Sequence, residues 1–220
     1  MDASLFYRSW PYRTPSGHAP LAFEVRADFG LFSRPDVSPS VAASYPVATW
    51  SAAKGIIETI FWKKDVWQIN PLGVEVLSPV AFTSYAFSYC GEMRKPSQIA
   101  KGANALFKWQ VLAQPHFRLV FDVVAGPKSR PEGGSVGRFL SEFDRRLRTG
   151  RHPTLQMGIS DFLATASPCT GTPVQTGETH AIPLLLKTVH GPSGRPVYFA
   201  DVRIEAGRLV YPLGRELTPC

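Results

Sequence analysis

Residues 45–64 (YPVATWSAAKGIIETIFWKK) and the segment before them carry several basic and aromatic side chains. Such side chains can bind a phosphate or stack on a nucleobase. Lys54 lies on the first turns of the helix predicted there, where it can hold a phosphate beside helix-terminal N–H groups or simply be solvated. Trp50 can stack on a base or pack as an aromatic staple before the helix. Arg34 and Tyr45 flank the start of the same helix, where each can contact a ligand or serve a turn or packing role. These four residues are the first candidates for an anion-binding site.

A second group of cations lies on a predicted β-hairpin near residues 88–110. Arg94, Lys95 and Lys101 fall in a loop-like segment between two aromatic strands, and Lys108 alternates with apolar residues on the second of them. A basic loop of this kind can grip a nucleic-acid backbone or can remain solvated.

Two segments have the pattern of amphipathic helices. The first is capped by Thr49 or Ser51, and its apolar residues then recur at helical spacing: Ala52, Ala53, Ile56, Ile57, Ile60 and Phe61. The second runs from a predicted cap at Ser135 to Arg148, with an apolar stripe made of Val136, Phe139, Leu140, Phe143 and Leu147. Its C-terminal end is crowded by arginines that are either solvated or in contact with RNA or a partner subunit: Arg145, Arg146, Arg148 and Arg151.

The rest of the chain favours strands and turns, because it contains 20 prolines and 18 glycines. Strands are predicted at residues 21–27, 66–69, 74–77, 79–89, 107–112, 116–124, 157–164, 184–189, 197–204 and 208–211. A strand, a loop and a helix at 51–62 are the opening of a ferredoxin-like unit. The predicted fold class is therefore α+β, with a ferredoxin-like (RRM-like) core, a projecting β-hairpin thumb and a small C-terminal β domain.

Three regions are predicted along the chain. Residues 1–20 form an extended arm, which should be ordered only where a partner covers Phe6, Tyr7 and Trp10. Residues 21–165 form the ferredoxin-like domain with its basic hairpin, and residues 166–220 form the small β region.

Composition narrows the class of function. The chain has 220 residues, 44% of them hydrophobic, and its formal net charge of +7 is typical of proteins that meet nucleic acid or anionic membranes. Its 3 cysteines form no C-x-x-C pair, so neither a disulfide framework nor a structural zinc site is expected, and no cofactor is predicted. No apolar run approaches the roughly 20 residues that span a membrane, and the N-terminus lacks the pattern of a signal peptide. We expect a reduced, cytoplasmic protein without a membrane partner.

The helical stretch resembles the signature helix of the CRISPR-associated family-five proteins, especially those of type I-C effector complexes. That signature reads approximately S-Y-x-V-x-T-x-x-A-x-x-G-I-x-E-x-I-Y-W-K-P. It is matched by Ser44-Tyr45, Val47, Thr49, Ala53, Gly55-Ile56, Glu58, Ile60 and Trp62-Lys63. Further matches follow in the same order along the chain, at Phe32-Ser33-Arg34-Pro35, Leu77-x-Pro79-Val-x-Phe82, the run Arg145 to Arg151 (RRLRTGR), and Met157-Gly158 with Asp161-Phe162.

The resemblance implies a ferredoxin-like core and a subunit that caps the 5′ end of a guide RNA by holding its repeat-derived handle. It implies two protein partners, the seventh-family backbone subunit and the large subunit of the interference complex, and it leaves open contact with target DNA through that complex. The basic residues expected at the RNA are Arg34, Lys54, Arg94, Lys95, Lys101, Lys108 and Arg138, together with the aromatic residues Tyr45 and Trp50.

Type I-C members of the family also cut precursor guide RNA without a metal ion. The resemblance places their catalytic tyrosine at Phe61 and their Lys-His pair at Arg138 and Phe139. A benzyl side chain has no proton to give or take, so the sequence predicts binding without cleavage. Two alternatives stay open: an endoribonuclease that uses Arg138 with a displaced base, His116 or His152, and a standalone RNA-binding module.

Overall fold

The computed structural model describes residues 5–12, 14, 16–37, 41–89, 95–101, 105–128, 136–191, 194–213 and 216–217. The helices in these residues are α1 (Trp50–Ile60), α2 (Pro96–Ala100) and α3 (Val136–Thr149). The strands are β1 (Leu21–Ala27), β2 (Phe29–Gly30), β3 (Trp67–Val76), β4 (Phe82–Tyr89), β5 (Ala105–Ala113), β6 (His116–Ala125), β7 (Leu155–Gln156), β8 (Leu163–Ser167), β9 (His180–Thr188), β10 (Val197–Glu205), β11 (Arg208–Val210) and β12 (Glu216–Leu217).

The described strands form two antiparallel sheets, which together with the helices confirm the α+β class. The larger sheet has the order β12-β10-β11-β3-β6-β1-β8-β7, and β9 pairs with β10. The smaller sheet has the order β2-β5-β4. No helix in the described ranges is both long enough and apolar enough to cross a membrane.

Both long helices form where the periodicity predicted them. In α1 the Thr49 hydroxyl accepts a hydrogen bond from the Ala52 backbone N–H at 3.3 Å, and Ala53, Ile56, Ile57 and Ile60 are buried. In α3 the buried face consists of Phe139, Phe143 and Leu147, whereas its predicted cap, Ser135, lies outside the described residues. Both helices therefore use an apolar stripe to cover one face of the large sheet.

The opposite face of the large sheet is covered by the N-terminal arm, which we define as residues 5–20. Trp10 is only 6% exposed and packs against Ala22, Leu72 and Val120. A Cβ atom at Gly73 would lie 2.5 Å from the Trp10 ring, so this approach requires glycine. We expected this arm to need a partner that covers Phe6, Tyr7 and Trp10, but the chain's own core buries Trp10 and packs against Phe6 and Tyr7.

A buried ionic cluster lies beneath the arm and is centred on Arg118 of β6. Its guanidinium donates to the carboxylates of Glu24 at 2.9 Å and Glu75 at 2.8 Å, and all three side chains are at most 4% exposed. Tyr7 on the arm donates to Glu75 at 2.8 Å, while Arg208 donates to the other oxygen of Glu75 at 2.8 Å. Two arginines thus balance two carboxylates, which is what the burial of such charges requires.

The predicted hairpin is present as β4 and β5, which pair from Phe82↔Leu112 to Tyr89↔Ala105 and belong to the smaller sheet. The loop between them contains α2, which the sequence pattern did not indicate.

The strand predicted at 157–164 is wrong for its first six residues, 157–162. Gly158 has a φ of +96°, and the Met157 N–H donates to the Phe162 carbonyl at 2.7 Å, so this segment is the turn between β7 and β8. Beyond residue 165, β11 pairs with β3 and so joins the C-terminal strands to the large sheet. The division of the chain near residue 165 stays a prediction.

Candidate nucleic-acid interface

A basic groove lies where the C-terminal end of α1 meets the first turns of α3. Its volume is about 750 Å³, and it is lined by Phe61, Lys63, Val66, Trp67, Lys128, Arg138, Ser141, Glu142 and Arg145. Four of these side chains are cationic and one is acidic. The lining therefore suits an anionic ligand such as a phosphate backbone.

Aromatic rings pack together at the groove, where Phe61 and Trp67 belong to the lining and Phe139 lies behind them. The Phe61 and Phe139 ring centroids are 5.5 Å apart, and the Trp67 ring lies 5.1 Å from Phe61 and 5.6 Å from Phe139. Phe139 is fully buried, and Trp67 is only 4% exposed. The buried indole Nε1 of Trp67 has no hydrogen-bond partner among the described residues. The two ends of the helices are thus held together by packed rings.

Glu142 orients two arginines at the groove. It accepts hydrogen bonds from Arg145 at 2.7 and 2.9 Å and from Arg146 at 2.7 Å. The Arg146 guanidinium lies 4.7 Å from the centroid of the Phe61 ring, a cation–π contact that ties α3 to the end of α1. Hydrogen bonds from Arg145 and then Arg146 lower the pKa of Glu142 to about 2.

This low pKa gives a pH dependence of stability. The ordinary pKa of 4.5 would apply in the unfolded chain, so Glu142 stabilises the fold above about pH 4.5 and loses that contribution as the pH falls towards 2. We expect the free energy of unfolding of Glu142→Gln to fall less steeply than that of the wild type between these pH values, as measured by urea unfolding. The matched control is Glu205→Gln, an exposed position on β10. Parallel curves for the wild type and Glu142→Gln would contradict the pairing.

The start of α1 carries a second group of cations around Trp50. The Lys54 ammonium lies 5.4 Å and the Lys187 ammonium 5.3 Å from the centroid of the Trp50 ring. Lys54 also lies 3.6 Å from Glu58, one helical turn further on, and burial raises the pKa of that carboxyl group. The structure thus brings together the predicted residues Trp50 and Lys54 and adds Lys187 from β9.

Arg34 and Tyr45, the other residues predicted at the start of α1, differ in exposure. The Arg34 side chain is 43% exposed and pairs with Asp36 at 2.6 Å. Tyr45 is only 4% exposed, and its hydroxyl donates to the Leu184 carbonyl at 2.9 Å. Burial raises the pKa of Tyr45 to about 12. Tyr45 therefore has the packing role that the sequence analysis left open, and its contact with a ligand stays a prediction.

The cations predicted on the hairpin are not among the residues that line the groove. Lys95, Lys101 and Lys108 are exposed on the hairpin and its loop, and Arg94 lies outside the described residues. Arg138 is the one predicted cation that lines the groove. Sequence reasoning did not select Lys63, Lys128 or Lys187 as site residues, although the basic end of the FWKK run was a signal for Lys63.

Neither of the two histidines named in the endoribonuclease alternative lines the groove. His116 lies on β6 with its Nε2 3.3 Å from Glu24, and His152 places its Nδ1 2.8 Å from the Pro153 carbonyl. Among the residues that the structure describes, no group of three or more acidic, histidine or cysteine side chains could hold a metal ion.

Comparison with known proteins gives the family. The chain is 30% identical over 155 residues, which are 70% of its length, to a protein of Thermus thermophilus named CRISPR pre-crRNA endoribonuclease Cas5d, and the match spans 66% of that protein. The chain belongs to the CRISPR-associated family-five proteins. No family model matches it.

Two solved structures share the fold of this family-five chain. One is described as a CRISPR-associated protein, with a TM-score of 0.70 and 14% identity, and the likeness covers 98% of this chain and 99% of the other. The second is a functionally uncharacterized protein from Streptococcus mutans, with a TM-score of 0.65, 15% identity and coverage of 91% and 97%. At these identities the likeness concerns the fold alone.

Proposed function

We propose that this family-five chain binds the repeat-derived 5′ handle of a guide RNA without cutting it, as a subunit of a multi-subunit CRISPR interference complex. The observation that carries the proposal is the contact between Phe61, which lines the basic groove, and Phe139, which is buried behind it with its ring centroid 5.5 Å from that of Phe61. These are the two positions at which the resemblance expects a catalytic tyrosine and histidine. The groove keeps its cations, whereas neither phenylalanine ring can give or take a proton.

Metal-independent RNA cleavage needs a base for the 2′-hydroxyl, an acid for the leaving 5′-oxygen and a cation for the phosphorane. The lining supplies cations in Lys63, Lys128, Arg138 and Arg145. Its one carboxylate, Glu142, has its pKa lowered to about 2 by two arginines and is a weak base. An arginine stays protonated and cannot act as the base either. The lining therefore supports phosphate binding better than proton transfer.

The strand order supports a ferredoxin-like core as part of the proposal. The sequence β1-α1-β3-β6-α3-β8 has the alternation of a βαββαβ unit, and the strands lie in the order β8-β1-β6-β3 with antiparallel neighbours. We propose the β4–β5 hairpin as the thumb of this core, residues 21–165 as the RNA-binding domain and residues 166–220 as the C-terminal β region.

The RNA would touch three basic surfaces in this proposal: the groove, the start of α1 and the hairpin. The contact residues proposed are Arg34, Trp50, Lys54, Lys63, Lys95, Lys101, Lys108 and Arg138. The proposed protein partners are the seventh-family backbone subunit and the large subunit, and target DNA would be reached through the complex.

A handle-binding assay tests the groove. We expect purified protein to bind its handle RNA, and the triple variant Lys63→Ala, Arg138→Ala, Arg145→Ala to bind it more weakly. The slope of log affinity against log salt should become shallower by about 2 units, because each phosphate contact on a single strand contributes roughly 0.7. The matched control removes three exposed arginines elsewhere, Arg26, Arg195 and Arg203. Equal losses in the two triple variants would show that the groove is not a specific site.

Endoribonuclease activity is the second candidate, because the relative from Thermus thermophilus carries that activity in its name. Incubation of the wild type with precursor repeat RNA distinguishes the two. We expect the RNA to remain intact. A product ending in a 2′,3′-cyclic phosphate that is lost in His116→Ala or His152→Ala would establish the second candidate instead.

A further inference from the structure

Trp62 is a large apolar side chain left exposed beside the groove. It follows α1 directly and is 43% exposed, whereas Phe61 before it packs against the core. Of the described residues, those that form or pack against the hydrophobic core do not include Trp62. Burying a tryptophan is strongly favourable, and the position of this one beside a cationic groove makes it a candidate contact for a ligand or a partner.

The two sequence neighbours of Trp62 line the groove, whereas Trp62 itself does not. Phe61 ends the helix in an extended conformation, with φ −159° and ψ 121°. The Cα of Trp62 is about 3.8 Å from that of each neighbour. A ligand that crosses residues 61–63 would therefore meet both the Lys63 ammonium and the exposed Trp62 indole.

The charges around Trp62 favour nucleic acid as this ligand. Lys63 and Lys64 follow Trp62 and are exposed, and the groove adds Lys128, Arg138 and Arg145. Single-stranded nucleic acid is recognised by this combination, because cations hold the phosphates and aromatic rings stack on the bases. An apolar protein partner would complement the indole but not the surrounding positive charge.

We propose that Trp62 stacks on one base of a single-stranded RNA whose neighbouring phosphate lies in the groove beside Lys63. This inference rests on the proposed RNA binding and goes further, because it assigns the base-stacking contact to a residue outside the groove lining. The contact is tolerant of sequence, since every base has a π-face. Trp62 therefore supplies affinity for an unpaired nucleotide and does not read its identity.

Substitution of Trp62 tests the stacking directly. We expect Trp62→Ala to weaken binding of the handle RNA by about 5- to 150-fold, the range for loss of one base–aromatic stack, and Trp62→Phe to retain most of the affinity. The salt slope should be unchanged in both variants, because no cation is removed. An abasic scan of the handle should find one position whose loss weakens binding to the wild type but has no further effect on Trp62→Ala. The matched control is Tyr12→Ala, an aromatic residue on the arm that is 54% exposed.

The outcomes separate this inference from the function on which it rests. Wild-type protein that binds no RNA would reject the proposed function. Wild-type binding with unchanged affinity in Trp62→Ala would reject the stacking contact alone. Unchanged RNA affinity together with a lower yield of the assembled complex would show that Trp62 meets a protein partner, and this result also overturns the inference.

Discussion

Replacing Arg118 with alanine should lower the free energy of unfolding by about 3–5 kcal/mol, the usual cost of removing one partner from a buried ion pair. The guanidinium is 4% exposed and bonds two carboxylates that are even less exposed, Glu24 and Glu75. Its loss would leave Glu24 as a buried charge without its main partner. Urea unfolding followed by circular dichroism at neutral pH measures the change.

The chain contains a matched control for this experiment. Arg208 donates to the same carboxylate, Glu75, at 2.8 Å, but its own side chain is 39% exposed. Arg208→Ala should therefore cost less than Arg118→Ala, because Arg208 is partly exposed and Glu75 would still accept hydrogen bonds from Arg118 and Tyr7. If the two variants lost similar amounts of unfolding free energy, the burial of an arginine would not determine how much it stabilises this cluster.

Replacing Trp10 with alanine should cost about 3–5 kcal/mol, the range for a large aromatic residue removed from a core. The ring fills the space above Gly73 between Ala22 and Val120, and the remaining chain cannot close that space without moving the arm. Urea unfolding measures the loss, and faster cleavage of the first 20 residues by a protease would show that the arm has left the sheet.

Tyr12→Ala is the control for the arm, because Tyr12 is 54% exposed and touches only the edge of Trp10. Its effect should stay within about 0.5 kcal/mol. If Trp10→Ala were equally mild, the arm would be an appendage of the sheet and not a part of its core.

The features that could be predicted from the sequence are those determined by residues close together along the chain. The helices α1 and α3 were found because their apolar stripes recur every three to four positions, and Thr49 supplies a local cap. The segment 157–164 was misread because a turn at Gly158 depends on the pairing of β7 with β8, not on its own composition. The docking of the arm was missed for the same reason, since Tyr7 and Ser16 find their partners on β3 and β6.

The same contrast between local and long-range determinants applies to the candidate site. Phe61 and Arg138 could be selected because they occupy positions in motifs that the sequence displays. Lys128 and Lys187 could not, since one reaches the groove from the segment after β6 and the other reaches Trp50 from β9. Tyr45 was a reasonable candidate by residue type, but only the fold shows that its hydroxyl is occupied by the Leu184 carbonyl.

The covering of the sheet by the arm has a consequence for biosynthesis. The arm is translated before its hydrogen-bonding partners Glu75 and Asp122, and the Thr170 that completes the cluster around Glu24 is made later still. The arm can therefore bond to β3 and β6 only after those strands have left the ribosome. A fusion partner on the N-terminal side of the arm would have to move with the arm when it docks on the sheet.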